Sequence, residues 1–123
     1  MSSALLSIIV ECENKAVAVA LVSLERADGK LDGIRSTVRI AMDGGAPKDY
    51  EMQLGQTLSR NLRITSDDEG QSLEIAKAMM AAKKSIDVAL VMPGSEKLIY
   101  PTRHSTSGSS RSIGAVLKAC NKQ

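Results

Sequence analysis

The stretch from Ile34 to Leu54 places the tightest constraint on what this chain can fold into. Ile34, Ser36, Val38, Ile40 and Met42 alternate with Arg35, Thr37 and Arg39, the period-two pattern of a strand with one face buried. Asp43-Gly44-Gly45-Ala46-Pro47 follows, and Asp-Gly-Gly supplies the positive φ values that a hairpin return demands. Tyr50, Met52 and Leu54 then alternate with Glu51 and Gln53. The segment is therefore an antiparallel hairpin with one apolar face.

The flanking segments add strands to it. Ala4 to Cys12 is short and rich in β-branched residues, Glu13-Asn14-Lys15 is a tight turn, and Ala16 to Leu24 returns as a second strand. The alanines of that run would suit a helix, but Val17, Val19 and Leu21 favour a strand. Arg26 to Gly33 holds two Asp/Gly pairs and reads as a loop, Gly55 to Ser59 as a connection, and Arg60 to Thr65 as a fifth strand. Ile86 to Met92, a turn at Pro93-Gly94-Ser95 and Lys97 to Tyr100 form a last strand pair, which Pro101 is expected to end.

Two segments read as helices. Asp68 is the expected N-cap of the first, with Gln71 completing a capping box and Asp67, Asp68 and Glu69 at the positive end of the dipole. Leu73, Ala76, Met79, Met80 and Lys83 recur at spacings of three and four, and Lys83-Lys84 close a helix over 69–84. The second helix covers 111–120, capped by Ser110 or Ser112, and packs Ala115, Val116, Leu117 and Ala119 on the sheet. The expected fold is α+β and β-rich, a single antiparallel sandwich or curled sheet of about seven strands with two helices. At 123 residues, the whole chain, 1–123, makes one domain.

The core of such a domain has to be aliphatic. The chain has no Phe and no Trp, its only aromatic residues are Tyr50 and Tyr100, and six Met join the Leu, Ile, Val and Ala. Scarce aromatic faces also argue against single-stranded nucleic acid or RNA as a partner. A formal charge of +2 with scattered Lys and Arg argues against duplex DNA as well. No apolar run has the length of a membrane span, and Ala4 to Val10 lacks the basic lead and cleavage site of a signal peptide. If Met1 is the native start the protein is expected in the cytoplasm, whereas a mature exported domain would carry Met1 as an addition.

Few residues carry candidate chemistry. Cys12 and Cys120 lie near opposite ends of the chain, and either form a disulfide or remain two buried free thiols. They have no His or acid at zinc-ligand spacing. His104, the one histidine, stands among Ser105, Thr106, Ser107, Ser109 and Ser110, but the tract lacks a G-x-S-x-G elbow and an orienting acid. A solvated loop is the simpler reading. Arg103, His104 and Arg111 beside those hydroxyls form an alternative anion site at a helix entrance. Asp67-Asp68-Glu69 has no calcium-loop spacing, Met79 and Met80 belong to the core, and Lys83, Lys84, Arg60 and Arg63 mark solvated faces. Neither phosphate-binding glycine motif occurs. No cofactor and no metal site is expected.

The order of elements resembles a known family. The residues that carry it are Ile8-Ile9-Val10-Glu11-Cys12, Val38 to Pro47, Ala76 to Ile86, Ser107-Gly108 and Ala115 to Cys120. Together they resemble small bacterial envelope domains of the type VI secretion VasI-like kind. The resemblance implies an exported β-sandwich-like domain, a disulfide between Cys12 and Cys120, and an accessory role. Where relatives carry a Trp after the hairpin and a Phe before the Ser-Gly step, this chain has Gln53 or Leu54 and His104.

The functional expectation is a non-enzymatic domain that binds another protein, as an envelope or secretion accessory. One alternative is a small cytosolic phage or mobile-element inhibitor of a host defence complex. A second is a hydrolase using His104 and the nearby serines. The expected contact surface is the loop holding Arg103, His104, Ser107, Ser109 and Arg111. The compartment turns on Cys12 and Cys120, periplasmic or secreted if they are bridged.

Overall fold

The computed structural model describes residues 6–26, 33–66, 68–91, 97–106 and 108–121. Among the described residues, seven strands and two helices follow in the order β1 (Leu6–Glu13), β2 (Ala16–Arg26), β3 (Arg35–Met42), β4 (Lys48–Gln56), β5 (Asn61–Ser66), α1 (Glu69–Ala81), β6 (Ser85–Val91), β7 (Leu98–Ser105) and α2 (Ser109–Ala119). One antiparallel sheet holds all seven strands in the order β1-β2-β5-β4-β3-β6-β7, curled into a half-barrel. The β-rich α+β fold is thus a curled sheet rather than a sandwich.

Turn chemistry sets the hairpins. Asn14 and Lys15, at φ 53° and 66°, form a two-residue return between the paired Glu13 and Ala16. Two consecutive positive φ values match the twist of the strands they join. Asp43 and Gly44, at φ 55° and 72°, begin the β3–β4 return, and the Gly45 N–H donates to the Met42 carbonyl at 2.9 Å.

The register carries one apolar face from edge to edge. Leu6, Ile8, Val10 and Cys12 stand opposite Ser23, Leu21, Val19 and Val17. Leu21 then faces Ile64, Ile64 faces Leu54, Tyr50 faces Val38, Val38 faces Leu90, and Ile86 faces His104. Onto this inner face α1 lays Ser72, Ile75, Ala76 and Met79, and α2 lays Ile113, Leu117 and Cys120. Each fully buried aliphatic side chain contributes about 1.5–3 kcal/mol, so a core that is aliphatic apart from the buried Tyr50 is sufficient. The outer face carries the Arg39–Asp49 and Arg103–Asp87 cross-strand ion pairs.

Several boundaries differ from the sequence expectations, each for a local reason. The first helix stops at Ala81 instead of reaching 84, because Lys83, Lys84 and Ser85 give their N–H groups to the Asp43 carboxylate. No basic residue lies in its last turn. Asp68 does cap it, accepting from the Gly70 N–H at 2.9 Å, but Gln71 donates to the Glu51 carbonyl and Ser66 Oγ, so no capping box forms. The buried stripe is Ser72, Ile75, Ala76 and Met79, with Leu73 and Met80 only half-buried beside it. Gly55 and Gln56 extend β4, leaving a turn at Thr57 to Arg60.

The largest difference is at Pro101. It sits inside β7, which runs on to Ser105, because β7 is a sheet edge and the register shifts between Val88 and Leu90. A missing N–H costs nothing on an edge or at a bulge. The second helix begins at Ser109 rather than 111. Its N-cap is Gly108, at φ 77°, so neither Ser110 nor Ser112 caps it. The turn expected at Pro93-Gly94-Ser95 lies outside the described residues, as does most of the Arg26 to Gly33 loop.

Candidate functional site

Curling brings the two outermost strands of the sheet together, and side chains join them where no ladder does. The Leu6 N–H donates to Thr102 Oγ1 at 3.1 Å, and His104 Nε2 lies 2.7 Å from the Leu6 carbonyl. That carbonyl only accepts, so Nε2 carries the proton. Thr102 Oγ1 in turn donates to the Tyr100 carbonyl at 3.0 Å. Tyr100 has φ 55° and lies where the β6–β7 register shifts, between Ile99 and Thr102. At the other end of β1, Cys12 is bonded to Cys120, with their Cα atoms 5.6 Å apart.

Between these two fastenings the seam is open. A cleft of ≈ 430 Å³ lies there, lined by Ile8, Ile9, Val10, Met79, Ile86, His104, Ser105, Ser112, Ile113 and Val116. Both polar groups of the Leu6 backbone point away from β2, toward β7. Strand geometry repeats every two residues, so the N–H and C=O groups of Ile8 and Val10 lie on that same edge. Because β1 ends the sheet, no strand among the described residues pairs with that edge.

The sequence-nominated contact residues are dispersed rather than grouped in one loop. Arg103 and His104 are consecutive in β7 and project to opposite faces. Arg103 makes two hydrogen bonds to Asp87, at 2.7 and 3.3 Å, on the outer face. That carboxylate raises its pKa. His104 faces inward into the cleft, while Arg111 is exposed on α2. Ser107 and the Ser109 side chain lie outside the described residues. Arg103, His104 and Arg111 therefore do not converge on an anion. Asp67 is also outside the described residues, and its neighbours are engaged, Asp68 as the cap and Glu69 as acceptor of the Val17 N–H at 3.0 Å. No three metal-ligating side chains cluster among the described residues.

Two polar clusters elsewhere hold elements in place. The Asp43 carboxylate accepts from three successive N–H groups after α1, which hold its pKa below the usual carboxylate value. Across the sheet, Tyr50 donates to Glu74 of α1 at 3.1 Å, and Lys48 pairs with the same carboxylate. Burial first, and then the Glu74 carboxylate, push the Tyr50 hydroxyl up to about 12. Glu74 is lowered, by Lys48 first and by Tyr50 second.

Cys12, Cys120 and His104 stand out in the sequence, whereas nothing in it marks Ile8, Val10, Ile86 and Val116 as a shared surface. In the sequence these are ordinary apolar residues of strands and a helix, and only the curl of the sheet brings them around one gap. No family model, curated protein or solved structure matches the chain. Among the described residues, no helix is long and apolar enough to cross a membrane.

Proposed function

We propose that this chain is a non-enzymatic protein-binding domain whose contact surface is the seam between β1 and β7. The observation that carries this reading is the open edge of β1 running beside an apolar cleft. An extended segment of a partner laid along Ile8 to Cys12 would satisfy the outward N–H and C=O groups. Its alternate side chains would enter the cleft. Such a segment would span about 13 Å of strand, at about 3.3 Å per residue, between the Leu6 fastening and the disulfide. Apolar side chains at alternate positions are the chemistry the cleft selects.

The role of His104 supports a binding function over a hydrolytic one. Its protonated Nε2 is directed at the Leu6 carbonyl, so that nitrogen is not available to take a proton from a serine. The disulfide supports an oxidising compartment, since such bonds persist there. With the resemblance to VasI-like envelope domains, this favours a bacterial envelope or secretion accessory.

Affinity capture from the native host, repeated with two helix variants, tests the proposal. Val116→Glu places a charge in the cleft, while Lys118→Glu alters an exposed position on the same helix. Melting curves serve as the folding control. A partner held by the parent protein and by Lys118→Glu should be retained at least tenfold less by Val116→Glu. Equal retention by all three would move the contact surface elsewhere. Turnover of a small substrate that His104→Ala abolishes would replace the binding function with an enzymatic one.

A further inference from the structure

The element that closes one side of the seam is weakly made on its own. At 11 residues, α2 is shorter than the roughly 12–15 residues at which isolated helices become even marginal in water. Its N-cap, Gly108, offers no side chain to the first N–H groups, where Ser, Thr, Asp or Asn would satisfy one. Gly114 occupies its interior, and glycine is among the poorest helix formers. What fixes α2 is Ile113 and Leu117, buried against the core, together with Cys120 at its C-cap.

The covalent anchor has an accessible side. Cys120 is buried, whereas Cys12 is exposed near the end of β1. Because α2 follows β7 in the chain and contributes no strand, it can leave without breaking a ladder of the sheet.

We propose that the Cys12–Cys120 disulfide is a redox-sensitive latch, and that its reduction releases α2 from the seam while the seven-stranded sheet stays folded. A dithiol reductant supplies the electrons. One of its thiolates attacks the Cys12 sulfur, forming a mixed disulfide and expelling the Cys120 thiolate, which takes a proton. The second thiol of the reductant, as its thiolate, attacks its own sulfur in the mixed disulfide. The Cys12 thiolate leaves and is protonated, and the reductant ends as an internal disulfide. Two electrons pass to the cysteine pair and two protons with them. Departure of α2 removes Ile113 and Val116 from the cleft and bares Ile8, Val10, Met79 and Ile86. The latch thereby controls access to the seam, a consequence that rests on the seam being the binding surface, although release of the helix does not.

Amide hydrogen exchange on the full chain tests the latch without any partner. It is measured oxidised, after treatment with dithiothreitol, and in the Cys12→Ser/Cys120→Ser variant. In both bond-free forms, amides of α2 should exchange at least tenfold faster than those of β2 and β5, and in the oxidised protein that gap should be absent. Equal exchange of helix and sheet in the bond-free forms would overturn the latch. So would the same gap in the oxidised form, or loss of all protection on reduction. A released helix with no partner at the seam would sustain the latch and defeat the binding function, so the two failures are distinguishable.

Discussion

A single side chain, Asp43, both completes a hairpin return and stops a helix. Its carboxylate gathers the N–H groups of Lys83, Lys84 and Ser85, and these bonds favour the charged form. Its folded pKa lies below the ordinary 3.8. The stabilisation is therefore complete above the unfolded value and is lost as the pH falls through the lower folded value. Asn tolerates the same positive φ but carries no charge. Urea midpoints measured from neutral pH to below 3.8 should fall more steeply for the parent protein than for Asp43→Asn, and parallel curves would show that Asp43 is not linked to folding. The sequence placed Asp43 in the turn. It gave no sign that three amides about forty residues away would converge on the carboxylate, since backbone donors leave no mark in composition.

Helix α1 shows how a correct period, with Ala76 and Met79 on the buried stripe as expected, can still be centred about one residue away from the true face. Leu73, Ala76 and Met80 obey the helical spacing, yet Ser72 and Ile75 are the residues wholly buried beside Ala76 and Met79. Ser72 belongs there because its hydroxyl donates to Ser66 Oγ at 2.9 Å and lies 3.2 Å from the Ser66 carbonyl. A buried hydroxyl with partners costs little. Ile75→Ala should thus lower unfolding free energy by about 2–5 kcal/mol and Leu73→Ala by distinctly less, as read from denaturant midpoints. The reverse order would restore the face centred on Leu73. In α2, a Cβ at Gly114 would sit 3.6 Å from the Met80 sulfur, an ordinary contact. Gly114→Ala is expected to raise stability by about 0.5–1 kcal/mol, visible as a higher melting temperature.

The whole molecule is a curled sheet fastened at both ends of one seam. The polar fastening at Leu6 uses Thr102 and His104, and the covalent one closes a separation of 108 residues. In the chain-entropy description, a loop of that size contributes about 4–5 kcal/mol. The Cys12→Ser/Cys120→Ser variant should lose stability up to that amount in equilibrium urea unfolding, and an unchanged midpoint would mean that the bond adds nothing to the folded state. The exposed ion pairs on the outer face contribute little by comparison, since solvent screens them.

The sequence by itself determined the elements: seven strands, both helices, the returns at Asn14-Lys15 and Asp43-Gly44, and a mostly aliphatic core in a β-rich fold. These depend on period, turn residues and side-chain volume, which are local and legible. It also pointed to Cys12 and Cys120 through resemblance, although the residues alone left bridge and free thiols equally open. Only the tertiary structure decided the strand order, the extension of β7 through Pro101, and the meeting of β1 with β7. Those depend on which edges approach one another once the sheet curls, a long-range choice that no local pattern encodes. The same choice converted His104 from a loop residue into a fastening, and made Ile8, Val10 and Val116 the walls of a cleft.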